Sequence, residues 1–118
     1  MKLKLIKFKK VKSTNDVAIK IIRSKKNTRG IVISEEQTKG KGTMGKQWVS
    51  QNGNFFASIF FELKNNMPKP NEFSKINLII LKNILNMHSN FDVKIKWPND
   101  LIIKGKKVCG ILQELINF

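Results

Sequence analysis

The chain has 118 residues, a hydrophobic fraction of 41% and a formal net charge of +15. That length fits one domain with a real core, and that apolar content excludes wholesale disorder. The single cysteine, Cys109, excludes an intramolecular disulfide and fits a reducing compartment.

Lysine alternates with apolar residues over positions 2–9, which predicts a half-buried strand and not a signal peptide. Ser13-Thr14-Asn15-Asp16 offers N-caps for a helix whose face is Val17, Ala18, Ile21 and Ile22. Ser24 to Gly30 reads as a turn and Ile31-Val32-Ile33 as a short buried strand. That strand feeds Gln37-Thr38-Lys39-Gly40-Lys41-Gly42-Thr43-Met44-Gly45-Lys46-Gln47-Trp48, which fits neither a helix nor a strand period and reads as a loop. Glycine lets bare N–H groups approach a ligand, and N–H groups beside cations make a cradle for an anion. A solvated Gly/Lys surface loop accounts for the same residues, and the spacing is not that of a P-loop.

Gln51 to Asn54 is a turn, followed by Phe55 to Phe61 as an aromatic strand able to form a hairpin with the segment before it. Asn65 to Pro70 is a loop in which Pro68 and Pro70 stop any regular structure. A long helix then opens at Asn71-Glu72 and carries a wide apolar stripe from Ile76 to Met87 for a sheet to cover. His88 lies at its end, where an imidazolium suits the helix dipole without a catalytic role. Val93 to Trp97 alternates as a strand, Pro98-Asn99-Asp100 breaks it, and Leu101-Ile102-Ile103 resumes. Lys104-Gly105-Lys106 is a hairpin turn, and Val108 to Leu115 forms the last strand, with Cys109 as a small core residue. The order predicts an α+β fold, a mixed and largely antiparallel sheet with helices on one face.

The basic balance invites a nucleic-acid reading, but the lysines are scattered and only Arg23 and Arg29 are arginine, so a basic nucleic-acid module is the weakest alternative. No apolar run approaches a membrane span, which makes a cytoplasmic chain without membrane partners the expectation.

Lys96-Trp97-Pro98-Asn99-Asp100 followed by Gly110-Ile111-Leu112-Gln113-Glu114 resembles the paired signature of biotin protein ligases. Ser13-Thr14-Asn15 is similar to that family's motif at the start of its first helix. Gln37 with the Gly40 to Trp48 run resembles its glycine- and arginine-rich loop. The resemblance spans most of the chain with four motifs in order. It implies a fold related to the catalytic domain of class II aminoacyl-tRNA synthetases. The implied reaction activates biotin with ATP to biotinyl-5′-adenylate, then transfers biotin to a lysine of the biotin carboxyl carrier domain of acetyl-CoA carboxylase.

By the resemblance, Ser13, Thr14, Asn15 and Gln37 satisfy biotin, joined by Lys41, Gly42, Thr43, Lys96 and Gly110. Lys41, Gly42, Lys46, Trp48 and Asn99 fall to ATP, and Lys96 with Lys41 are the catalytic cations. Helix capping, solvation and packing are the plain alternatives for these side chains. Mg²⁺ is expected on the phosphates, not in a protein cage. Lys41 and Lys46 replace family arginines and Thr43 removes a cation, so a looser hold on the adenylate is expected. Phe56 stands where the family often has a tyrosine.

Family domains continue past the second signature, so residues 1–118 are expected to be the N-terminal portion of a ligase domain. An exposed apolar edge, self-association or a complementing fragment is expected with it. No winged helix precedes Ser13, so DNA binding is not expected. The alternatives are a catalytically impaired biotin-binding fragment and a lipoate-type ligase.

Overall fold

The computed structural model describes residues 2–117, which fall into two compact units, one running to Asn65 and the other Asn66–Leu115. The first is built on the order β1 (Lys4–Val11), α1 (Thr14–Arg23), β2 (Gly30–Gln37), β3 (Phe56–Phe60). Strand β1 runs parallel to β2, and β3 pairs antiparallel on the other side of β2. Two parallel neighbours need a crossover, and α1 supplies it.

Helix α1 begins where the sequence predicts. Ser13 is the N-cap, its Oγ accepting from the Asp16 N–H at 3.3 Å, with Asp16 in the first turn and Lys20 and Arg23 in the last. Its apolar face, Val17, Ala18, Ile21 and Ile22, packs with Val32 and Phe60. Alternation on the strands turns Val32, Ser34, Phe56, Ser58 and Phe60 inward. Gly30 lies opposite Phe60 in the ladder, and a Cβ there would meet the Phe60 ring and the Lys4 carbonyl at 2.9 Å. Glycine at this position is what admits the ring.

Two strand expectations are corrected here. β2 extends past Ile33 through Ser34-Glu35-Glu36-Gln37, because its backbone stays paired with β1 as far as Val11↔Gln37. Strand β1 begins at Lys4 and is less buried than its alternation predicts, with Leu5 51% and Phe8 38% exposed.

The second unit packs α2 (Pro70–His88) with β4 (Val93–Lys96), β5 (Asp100–Ile103) and β6 (Lys106–Gly110), an antiparallel meander. Among the described residues the strands thus form two sheets of three, one mixed and one antiparallel. The fold is α+β as expected.

Pro70 opens α2 instead of stopping regular structure, since a proline at the first helical position loses no needed N–H. Leu78 is fully buried with Val93 and Leu101, and Leu81, Leu85, Ile95, Ile103, Cys109 and Ile111 surround them. The expected stripe is only partly covered: Ile76, Ile79, Ile80, Ile84 and Met87 remain exposed. The Asn86 side chain accepts from the Val93 N–H at 2.8 Å and ties the helix end to β4. The turn of Lys104 and Gly105, both at positive φ, joins β5 to β6 as predicted.

The last strand is shorter than expected. It ends at Gly110, and Ile111 to Leu115 leaves the ladder. There the Gln113 side chain donates to the Pro70 carbonyl at 2.7 Å instead of pairing along a strand.

Candidate functional site

In the first unit, three of the expected biotin residues meet at the start of α1 and the end of β2. The Thr14 N–H donates to Gln37 Oε1 at 2.8 Å, and the Thr14 hydroxyl lies 2.8 Å from Ser58 Oγ. Ser58 in turn donates to the Asn15 side-chain carbonyl. A serine has one proton, so the chain of donors runs from Thr14 to Ser58 to Asn15. Ser13, Thr14 and Ser58 are buried, and among the described residues no buried side-chain polar atom lacks a partner. The Ser13 hydroxyl accepts at the helix cap and keeps its own proton to donate, while Gln37 also donates to Ser50 Oγ at 3.2 Å.

Neither Ser58 nor Ser50 is among the site residues that the resemblance implies. Ser58 had a usable signal, being the one hydroxyl in the aromatic run Phe55 to Phe61. Ser58→Ala is expected to remove the partner of the buried Thr14 hydroxyl and to cost about 1–3 kcal/mol of stability. Chemical denaturation measures this. The double variant with Thr14→Val should lose less than the sum of the two single changes.

The glycine run is more ordered than a plain loop. Lys41 bridges Gln47 in antiparallel fashion, Gly42 N–H donates to the Lys46 carbonyl at 2.7 Å, and Thr43–Gly45 make one 3₁₀ turn. Trp48 N–H donates to the Gly40 carbonyl at 2.8 Å. A Cβ on Gly40 would lie 2.5 Å from Ser50 Oγ, 2.7 Å from the Trp48 carbonyl and 3.0 Å from Gln37 Nε2. The loop therefore seats its first glycine against the same Gln37 that holds Thr14. Met44, at φ 56, and Gly45, at φ 75, form its exposed tip.

Lys41 and Lys46 are exposed, and Lys41 Nζ sits 2.5 Å from Asp16 Oδ1. By sequence Asp16 is only a capping candidate. It borders an open hollow of about 450 Å³ together with Ile19, Lys20, Arg23 and Lys41.

The remaining expected residues, Lys96, Asn99 and Gly110, belong to the second unit. Lys96 ends β4 with its side chain exposed and faces Asp100 across the ladder. Trp97, Pro98 and Asn99 form the turn, with a cis Trp97–Pro98 bond, and the Asn99 carbonyl accepts from the Ile111 N–H at 2.9 Å. Gly110 pairs with Asp100, whose carboxylate is 3.1 Å from Lys107 Nζ. The first signature therefore spans the end of β4, the turn and the start of β5, and the second begins at the last residue of β6 and continues beyond the ladder.

Burial, and secondarily the Asp100 charge, pushes the Cys109 thiol above its ordinary pKa. It is then protonated at neutral pH and fits the packing role expected of it, not that of a nucleophile. Among the described residues no three His, Cys, Asp or Glu side chains are grouped to hold a metal, and no helix is long and apolar enough to cross a membrane.

Residues 7–117 match the Biotin/lipoate A/B protein ligase family. The chain is 31% identical over 104 residues to the biotin–[acetyl-CoA-carboxylase] ligase of Paracoccus denitrificans, covering 86% of this chain and 43% of that one. It is 34% identical over 84 residues to the bifunctional ligase/repressor BirA of Escherichia coli K12, covering 70% and 26%. The biotin protein ligase of Aquifex aeolicus, solved with biotin and ATP, superposes with a TM-score of 0.80 at 28% identity, over 95% of this chain and 47% of that one. The biotin acetyl coenzyme A carboxylase synthetase of Helicobacter pylori shares the fold with a TM-score of 0.81 at 18% identity, over 98% of this chain and 56% of that one. The chain thus spans well under two thirds of the length of each of these relatives. With its glycine loop and both signature motifs inside the matched residues, the chain belongs to the Biotin/lipoate A/B protein ligase family.

Proposed function

We propose that this chain binds biotin and ATP, joins them as biotinyl-5′-adenylate, and passes the biotinyl group to a lysine of a biotin carboxyl carrier domain in the cytoplasm. The observation that carries this reading is the buried chain of Thr14, Ser58 and Asn15, with Gln37 beside it and Gly40 seated on Gln37. Biotin's ureido ring is a compact set of donors and acceptors. A corner rich in hydroxyls and amides can exchange its internal hydrogen bonds for those of the ring, where an apolar one would leave the ring unsatisfied.

In the first step an oxygen of biotin's carboxylate attacks the α-phosphorus of ATP, and pyrophosphate leaves with the electron pair of the broken P–O bond. In the second the acceptor amine attacks the mixed anhydride's carbonyl, and AMP leaves. Two anions must approach, so cations that neutralise both lower the barrier. Lys96 is assigned to the reacting carboxylate and α-phosphate, with Lys41, Gly42 and Thr43 on the adenylate and Gly110 on the biotin side. Lys46, Trp48 and Asn99 take the triphosphate and the adenine. Mg²⁺ would arrive on the nucleotide's phosphates, where it would neutralise part of their charge.

Thr43 leaves the loop one cation short of the arginine-rich pattern it resembles. Thr43→Arg is therefore expected to slow biotinyl-adenylate release by about three- to tenfold, the effect of one added exposed cation on a phosphate. A stopped-flow off-rate measures it, and an unchanged rate would remove Thr43 from the site.

Pyrophosphate release from ATP tests the reading as a whole. Release that depends on biotin supports it. Calorimetric biotin binding without release would support a binding fragment. Release that depends on lipoate instead would favour the other substrate class in the family's description.

A further inference from the structure

Asp16 has no part in the proposed chemistry, yet its carboxylate meets the one loop lysine assigned to the adenylate. The 2.5 Å contact to Lys41 Nζ spans 25 positions of sequence and joins the first turn of α1 to the residue that opens the 41–47 bridge. Both side chains are nearly half exposed, at 46% and 41%, so the pair is weak and exchanges partners readily. Lys20 and Arg23 follow on the same face of α1 and border the same hollow, in which Asp16 is the one acid among the described lining residues. An anion entering beside Lys41 therefore meets a basic wall with a single opposing charge, already bonded to the lysine it needs.

We propose that Asp16 is a positioning residue for the glycine loop: it holds Lys41 while the site is empty and yields it to an anionic phosphate when ligand enters. This rests on the reading of Lys41 as a contact to the adenylate. Under it, loop release and ligand capture are one exchange of partners, and the carboxylate sets how easily the ligand leaves. A charge-bearing tether to α1 also gives the exposed loop tip a fixed empty-state position without a buried anchor.

Asp16→Asn keeps the size of the side chain and the Asp16 N–H bond to Ser13, so α1 retains its cap. In the ligand-free chain, amide hydrogen exchange across residues 41–47 is expected to speed up several-fold in Asp16→Asn and in Lys41→Met, and no further in the double variant. Asp16→Glu should restore slow exchange. Biotinyl-5′-adenylate should bind Asp16→Asn about two- to fivefold more tightly than wild type, the range of a weak exposed pair. In the Lys41→Met background the same change should have no such effect.

Unchanged exchange in Asp16→Asn overturns the proposal, and so does tightening of equal size with and without Lys41. Should the wild-type chain take up no adenylate at all, the functional reading fails. The exchange data then decide Asp16 alone, faster exchange upholding the tether and unchanged exchange removing it.

Discussion

Lys96→Ala is expected to lower biotin-dependent pyrophosphate release by on the order of 10²–10³, the usual loss when a preorganised charge at the reacting centre is removed. The same change should leave stability within about 0.5 kcal/mol, because the side chain is exposed at the end of β4. That contrast is the point of the experiment. A solvent-facing lysine on an alternating strand has no structural reason to matter, so a large kinetic loss with an unchanged melting curve can come only from the chemistry. Biotin affinity should fall much less than turnover, since the charge is needed most where two anions meet. Lys96→Arg should recover part of the rate, with charge kept and shape changed. Activity within twofold of wild type in Lys96→Ala would take this residue out of the mechanism.

Gly40→Ala is the second large effect expected, and it acts on geometry instead of charge. The new methyl would sit 2.5 Å from Ser50 Oγ and 2.7 Å from the Trp48 carbonyl, the latter backbone that cannot swing aside. Relief requires the loop to lift or Gln37 to turn, and Gln37 Oε1 is the acceptor for the Thr14 N–H. Overpacking of this kind costs about 1–3 kcal/mol. We expect most of it to appear as a roughly 10- to 100-fold loss of biotin affinity by calorimetry. Gly53→Ala serves as the control: its added Cβ meets nothing, so strain at φ 93 should lower stability while leaving biotin affinity unchanged.

Local signals carried far into this fold where a side chain both patterns an element and caps it. Ser13 with the Val17, Ala18, Ile21, Ile22 face placed α1, and Lys104-Gly105 placed the last hairpin, because those residues act on their own neighbourhood. Where the deciding contact is remote, the sequence misled. Ser34 to Gln37 is polar enough to pass for the start of a loop, yet pairing with Lys10 and Val11 keeps it in β2. Ile111 to Leu115 is apolar enough to pass for a strand, yet Ile111 bonds to Asn99 and Gln113 to Pro70. Pro70 and Pro98 both read as breaks, and one of them starts a helix.

The candidate site divides the same way. Thr14, Asn15 and Gln37, which the fold brings together, stand out through motifs, since those residue types at those spacings resemble a known family. Ser58 and Asp16 do not, because a serine within a strand and an acid within a cap are ordinary until the fold brings them to Thr14 and Lys41.

The most direct test is a biotin titration of the ¹⁵N-labelled wild-type chain followed by two-dimensional NMR. The account predicts saturable shifts centred on Thr14, Asn15, Gln37, Gly40, Gly42 and Ser58, with ATP then adding Lys46 and Trp48. Saturation with these amides unmoved, or no saturable shift anywhere, would contradict it.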